Sequence, residues 1–285
     1  MRDIAPGGLR HRRREAAQVQ AGSHSCRRRG DSGNGLSALP EGQSSVRLAV
    51  LSDIHSNLPA LQSVLIDMEK RGVDGAIHLG DLVGYGPRPN EVVQTLKKAG
   101  VDGVIGNYDL AVLHNDAEEG LKTYLKPGIS ENNRQTYLWT RERISPETAE
   151  LLAQNPAGLY VEEGGVTFLF THGSPEKPNE YLYPDTPRER LSALLGKSGA
   201  DILVVGHTHL PMAVEVGEKV VLNPGSVGKP KDGDPRASYM IIDTDNGFRA
   251  EHIRVTFDVE SVAKDCVLSG LPLLQAKSYF PDIGQ

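Results

Sequence analysis

From residue 46 onward, apolar residues fall into two alternating rhythms. Residues 46–51 (VRLAVL) form a short apolar run ending at Ser52-Asp53, the signature of a buried strand. Apolar residues then recur at 58, 61, 64, 65 and 68, the spacing of a helix packed on a sheet, and Gly72 stops it. A second strand is predicted at 75–79, ending at Gly80-Asp81. A helix follows at 89–99, stopped by Gly100, and a third strand at 101–105 ends at Gly106-Asn107. Right-handed crossovers make such a β-α-β-α-β run a parallel sheet. Residues 109–155 read as mostly helical with polar breaks, an insertion beside the carboxyl edge of that sheet.

The second half is richer in strands. Residues 159–161 and 166–170 flank Gly164-Gly165 as a hairpin would. A helix is predicted at 186–195 and a buried strand at 202–205, followed by Gly206. Antiparallel strands are expected at 212–216, 220–222, 238–243 and 248–255. A closing helix is expected at 258–268, with Asp258 as its N-cap. The pattern describes an α/β protein with two sheets, each backed by helices.

Composition separates the first residues from the rest. Residues 1–45 are rich in Gly, Ser and Arg and poor in apolar residues. They read as a disordered basic tail or as a start codon placed upstream of the true one, although the next Met is Met68. They lack the apolar core of a secretory signal. Residues 1–47 hold nine Arg against Asp3, Glu15, Asp31 and Glu41, a net +5. With −6 overall, the remaining chain carries −11. An acidic body argues against general nucleic-acid binding but not against a phosphate substrate, because bound cations reverse the local sign. Cys26 and Cys266 are far apart, which excludes a disulfide framework and fits a reducing cytoplasm. No stretch approaches the ~18 apolar residues of a membrane span.

The candidate chemistry sits where strands end. Asp53-x-His55 follows the first strand, and if the extended run continues both side chains point the same way. Asp81 and Asn107 follow the second and third strands, His172 another, and His207-x-His209 the next. Ligands of open parallel sheets bind at the carboxyl ends of the strands. Five strand ends delivering Asp, His or Asn therefore converge, and the neighbouring glycines permit tight turns. His11, His24, His78, His114 and His252 lack this context and read as structural or surface residues. Gly196-Lys197-Ser198 lacks the glycine that a phosphate-binding loop needs at position 191, and no G-x-S-x-G elbow is present.

In order, these residues read D-x-H (Asp53–His55), G-D (Gly80-Asp81), G-N (Gly106-Asn107), His172 and G-H-T-H (Gly206–His209). That series resembles the calcineurin-like metallophosphoesterases. Asn223-Pro224-Gly225-Ser226 resembles their small bacterial and archaeal phosphodiesterase branch. Over roughly 47–255 the resemblance implies a four-layer α/β/β/α sandwich of two mixed sheets. It also implies two divalent metal ions. Asp53, His55 and His209 would hold one, Asn107, His172 and His207 the other, and Asp81 would bridge both. Mixed carboxylate, imidazole and amide ligands suit Mn, Fe, Zn, Co or Ni better than Mg or Ca, with Mn first in expectation. A water bridging two cations loses a proton readily, supplying hydroxide against a phosphate ester.

One position departs from the pattern. Where the family usually reads G-N-H-D or G-N-H-E, this chain reads Gly106-Asn107-Tyr108-Asp109. The candidate catalytic residues are Asp81, Asn107, Tyr108 and His172. Tyr108 either donates a hydrogen bond near the leaving group or packs at the pocket rim. The expected activity is hydrolysis of a small or nucleotide-like phosphodiester. The alternatives are a phosphomonoesterase of the protein phosphatase or dinucleoside polyphosphate hydrolase type, and a non-catalytic scaffold of the same fold. Arg134, Arg141 and Arg143, in the expected helical insertion, either meet substrate phosphates or are solvated surface charges.

Overall fold

The computed structural model describes residues 46–125, 128–245 and 248–271. The tail expected at 1–45 lies outside the described residues. In chain order the elements are β1 (Arg47–Leu51), α1 (Leu58–Arg71), β2 (Gly75–His78), α2 (Pro89–Ala99), β3 (Asp102–Gly103), α3 (Asn107–Leu113), α4 (Ala117–Tyr124), α5 (Glu131–Arg143), α6 (Pro146–Ala153), β4 (Gly158–Glu163), β5 (Val166–Thr171), α7 (Arg188–Ser198), β6 (Ile202–Val204), β7 (Pro211–Val216), β8 (Lys219–Pro224), β9 (Ala237–Asp243), β10 (Arg249–Val255) and α8 (Val259–Leu268).

Two five-stranded sheets result, ordered β10-β9-β1-β2-β3 and β4-β5-β6-β8-β7. In the first, β1, β2 and β3 are parallel and β9 runs antiparallel to β1 and β10. In the second, β5, β6 and β8 are parallel, and β4 and β7 close the edges antiparallel. Both sheets are therefore mixed, as expected.

Side-chain alternation along each strand builds the four layers. Leu48 and Val50 of β1 point into one apolar cluster with Phe168, Phe170, Ile202 and Val204 of the second sheet, which is the core between the sheets. Their neighbours Ala49 and Leu51 point the other way, against Leu61, Val64 and Met68 of α1 and Val92 and Leu96 of α2. On the second sheet, Leu169, Leu203 and Val221 face outward onto Leu191, Leu194 and Leu195 of α7. Strands covered on both faces read as continuous apolar runs, which is why β1 and β6 were visible by composition alone.

Helix ends follow local rules. The Asn57 side chain accepts from Ala60 N at the start of α1, and Gly72 ends that helix at φ 61°. Asp258 caps α8 by accepting from Ser261 N, as its sequence position suggests. The third strand is shorter than the expected 101–105, because the Ile105 amide donates to Pro156 O rather than to the sheet.

Helices α3 to α6 occupy the chain between β3 and β4. The Tyr137 hydroxyl lies 3.0 Å from both Ala111 O and Ala117 O, tying α5 to α3 and α4. The three arginines singled out above are engaged within this region. Arg134 pairs with Glu118, Arg141 donates to Val112 O and Asn115 O near the end of α3, and Arg143 lies 4.3 Å over the Trp139 ring. Among the described residues, no helix is long and apolar enough to cross a membrane.

Candidate metal centre

The two sheets bring their strand ends to one place. Asp53 and His55 follow β1, Asp81 follows β2, Asn107 opens α3, His172 follows β5, and His207 and His209 follow β6. None of the seven is more than 6% exposed. Asp53, His55 and His209 offer ligand atoms within 4.8 Å of one another, and so do Asp81, His172 and His207. Asp81 lies between the groups, its Oδ2 3.4 Å from His172 Nε2 and 3.7 Å from His55 Nε2. Asn107 joins the second group, with Oδ1 2.8 Å from His172 Nε2.

The backbone that aims these side chains is not extended. Asp53 and His55 were expected to share a face as residues two apart on a continuing strand. Instead they sit at φ 52° and 49°. Asp81, His207 and His209 are also left-handed, at φ 50°, 66° and 63°. Each non-glycine residue held there costs on the order of 1–2 kcal/mol, although Asp and His tolerate it better than most. Such strain persists where the surroundings over-determine it, typically at functional sites. The reason here is geometric: a strand projects alternate residues away from its end, whereas tight turns fold both members of each D-x-H or H-x-H pair into one centre.

Hydrogen bonds hold these turns. The Asp53 and His55 amides donate to Gly80 O and Asp81 O, linking the first two strand ends. Asp53 Oδ2 accepts from Ser52 Oγ at 2.6 Å and from the His207 amide at 3.0 Å, bridging the two sheets. Asp109 accepts from the amides of Leu82, Val83 and Gly106, stitching the Asp81 turn to α3. Close approach requires glycine at two positions. A Cβ on Gly106 would lie 2.1 Å from Asp81 N, and one on Gly206 2.1 Å from Ser52 Oγ.

Asn223 and Ser226, which had no assigned role from sequence, complete this frame. Asn223 Nδ2 donates to Gly206 O and Thr208 Oγ1, fixing the turn that carries His207 and His209. Ser226 Oγ donates to Asp53 O and accepts from Lys229 N. Ser52, Asp109 and Thr208 drew no role from sequence, because a serine, aspartate or threonine within or beside a motif carries no signal of its own. Three spare histidines lie elsewhere in the bonding pattern. His78 is buried in β2, His252 bonds to Asn223 O, and His114 bonds to Asp116 O.

Electrostatics favour cation ligation. His55, His172 and His209 each place Nδ1 against a main-chain carbonyl: Val83 O at 3.1 Å, Leu79 O at 2.6 Å and Lys229 O at 2.6 Å. A carbonyl only accepts, so Nδ1 carries a proton and Nε2 is the nitrogen turned inward toward the other donors. Burial lowers His55 to about 3, against the charge of Asp81. Burial and the His172 charge lower His207 to about 3. Both imidazoles are thus neutral, as metal ligation demands. Burial opposes charge on His172, but Asp81 outweighs it and raises that imidazole to about 9. Burial alone would raise the Asp53 carboxyl, yet His209, His172 and His55 hold it below the usual carboxylate range.

The donor set passes a direct test of fit. Asp53 Oδ1 and His207 Nε2 are buried with no hydrogen-bond partner. Buried polar atoms are nearly always satisfied, so two orphans aimed into one cluster of N and O donors mark a cation site.

Tyrosines wall the centre. Tyr85 and Tyr108 meet the His55 ring edge-on at 4.8 and 5.5 Å between centroids, and Tyr181 lies 4.0 Å from the His207 ring. Tyr108 is 5% exposed, and its hydroxyl, near that of Tyr85, makes no hydrogen bond of normal geometry. Burial, with the charge of Tyr85 adding to it, pushes that hydroxyl well above its ordinary value. It is therefore a poorer proton donor than a free phenol.

Comparison with known proteins agrees with this geometry. A family model described as the calcineurin-like phosphoesterase superfamily domain matches residues 46–247. An uncharacterized protein of Methanocaldococcus jannaschii is 35% identical over 244 residues, covering 79% of this chain and 93% of its own. Phosphodiesterase YfcE of Escherichia coli is 30% identical over 207 residues, covering 70% and 89%. A metallophosphoesterase from Sphaerobacter thermophilus superposes with TM-score 0.67 at 29% identity, over 82% of this chain and 98% of that one. A hypothetical protein from Pyrococcus horikoshii reaches TM-score 0.71 at 26% identity, over 81% and 96%. The chain belongs to the calcineurin-like phosphoesterase superfamily, alongside small bacterial and archaeal members.

Proposed function

We propose that this chain is a two-metal phosphodiesterase hydrolysing a small or nucleotide-like phosphodiester, with Mn the first candidate ion. Asp53, His55 and His209 would hold one ion, and Asn107, His172 and His207 the other, with Asp81 shared. The observation that carries this reading is the pair of buried donor groups, with Asp81 in the second and its Oδ2 3.7 Å from His55 Nε2 of the first. When bound, the ions supply an activated water and neutralise the charge that builds on the phosphoryl oxygens.

The chain's own residues prepare that chemistry. Nδ1–carbonyl bonds fix three imidazoles with Nε2 inward, and His172, raised to about 9 beside Asp81, releases its Nε2 proton when a cation binds. The Tyr108 amide donates to Asp81 Oδ1 at 2.7 Å, which leaves Oδ2 directed between the two groups. Burial makes Tyr108 a weaker acid than a free phenol, which favours esters whose leaving group departs without a proton. The phosphodiester preference draws on the 30% identity to phosphodiesterase YfcE. The helices at about 109–155 are read as shaping substrate choice without supplying metal ligands. Asn107 Nδ2 donates to Tyr124 O at the end of α4, coupling the centre to that region.

The test is hydrolysis of bis-p-nitrophenyl phosphate and p-nitrophenyl phosphate by Mn-loaded protein. Faster turnover of the diester supports this reading. Faster turnover of the monoester would make the chain a phosphomonoesterase, and no turnover of either would make it a scaffold.

A further inference from the structure

Between β5 and α7 the chain carries Glu180-Tyr181-Leu182-Tyr183 in period-two alternation. Leu182 turns inward, 2% exposed, and packs with Leu169, Leu191 and Leu194. Tyr181 and Tyr183 turn outward, at 37% and 39% exposure. Their rings are parallel, with centroids 5.7 Å apart and planes within 5°. Tyr181 also lies 4.0 Å from the His207 ring, so an aromatic row leads from the metal centre to solvent.

Ion pairs and hydrogen bonds tie this segment to α7 and to its own turn. Arg190 donates to Glu180 at 2.9 and 2.7 Å and to Glu176 at 2.8 Å. Lys197 donates to Glu176 at 2.7 Å, and the Tyr183 amide to Thr186 Oγ1 at 2.8 Å. Leu182 already anchors the strip to the core, so stability does not require two further aromatic rings on the wet side. A pre-positioned pair of tyrosine faces beside a polar centre is what recognition of a planar group requires: the π-face supplies affinity and the polar centre orientation.

We propose that Tyr181 and Tyr183 form a stacking ledge for the nucleobase of a nucleoside phosphodiester whose phosphate sits at the metal centre. This rests on the phosphodiesterase reading and adds the group that the substrate presents to the rim. A base stands one sugar further from phosphorus than the ring of a simple aryl ester, and the paired tyrosine rings, 5.7 Å apart between centroids, extend the aromatic surface past the one ring that meets His207.

The experiment compares two diesters with the same leaving group, thymidine 5′-(p-nitrophenyl phosphate) and methyl p-nitrophenyl phosphate. Readout is the ratio of their kcat/KM values with Mn-loaded full-length chain. Base–aromatic stacking predicts that Tyr183→Ala lowers the ratio about tenfold and that Tyr183→Trp retains it. A ratio unchanged by Tyr183→Ala overturns the ledge. If wild type hydrolyses neither diester, the phosphodiesterase reading fails and the ledge is judged by binding alone. Saturation-transfer NMR of adenosine 5′-monophosphate on Zn-loaded protein then shows base-proton signals that Tyr183→Ala abolishes. Absence of those signals in wild type overturns the proposal. Equal dependence of phenyl phosphate binding on Tyr183 would overturn the nucleoside assignment.

Discussion

The Nε2 atoms of His55 and His209 stand 3.1 Å apart, and each ring donates its Nδ1 proton to a main-chain carbonyl, Val83 O and Lys229 O. Two inward nitrogens this close in a buried site share either a proton or a cation, and a divalent ion there would also take Asp53 as a ligand. We expect divalent metal to raise the thermal midpoint. At ~100 times Kd the stabilisation is about 2.7 kcal/mol, worth roughly 5–10 °C for a domain of this size. Differential scanning fluorimetry with Mn against chelator measures it; identical midpoints would remove metal from this pair.

Asp81 and Asn107 sit at the ends of elements rather than in the core, so their chemistry separates from stability. Asp81→Asn keeps the shape and the acceptor for the Tyr108 amide while removing the charge shared by both donor groups. We expect diester turnover to fall ~10²-fold or more, as when a stabiliser of transition-state charge is lost. Asn107→Ala should do the same, with the circular dichroism spectrum of each variant unchanged. Normal turnover in Asp81→Asn would contradict the shared position.

Tyr108 tests the leaving-group step. Its hydroxyl is buried and held protonated, so Tyr108→Phe should change hydrolysis of an aryl diester less than threefold or so. Tyr108→His introduces a group of reference pKa near 6.5. General acids typically contribute ~10²–10⁴-fold, so the ratio of alkyl to aryl ester turnover should rise. An unchanged ratio in both variants would leave Tyr108 as packing for the Gly84 turn, where a Cβ would lie 2.5 Å from the Tyr108 ring.

Much of this was legible in the sequence, for identifiable reasons. Strands covered on both faces, such as β1 and β6, read as apolar runs, and their ends marked the site. The seven candidate ligands were visible because each follows such a run in a fixed order. The left-handed turns at Asp53, His55, Asp81, His207 and His209 were not, because no residue type demands positive φ as glycine does. Ser226 and Asn223 were noticed within a motif, but their hydrogen bonds to Asp53 O and Gly206 O cross 173 and 17 residues of sequence. The tyrosine row had no signature, since two exposed tyrosines in a loop resemble any surface.

The loop carrying that row depends on Arg190 and two carboxylates. Lys197 and Arg190 lower Glu176 to about 2, and Arg190 lowers Glu180 below its ordinary value. Folded-state values below the unfolded ones mean that the ordering is fully present above the ordinary value of 4.5. It is lost as pH falls through the folded values, toward about 2 for Glu176. Hydrogen exchange should show amides 174–183 losing protection between those pH values, and Arg190→Ala should lose it at neutral pH. Unchanged protection in the variant would mean that Leu182 alone holds the loop.

The most direct measurement is hydrolysis of bis-p-nitrophenyl phosphate by metal-stripped full-length chain as Mn is added back, with bound metal counted at each point. We expect turnover to rise with occupancy and to level off at two ions per chain, as the two donor groups around Asp81 require. A plateau with one ion or none bound, or turnover that survives stripping, would contradict a two-metal centre.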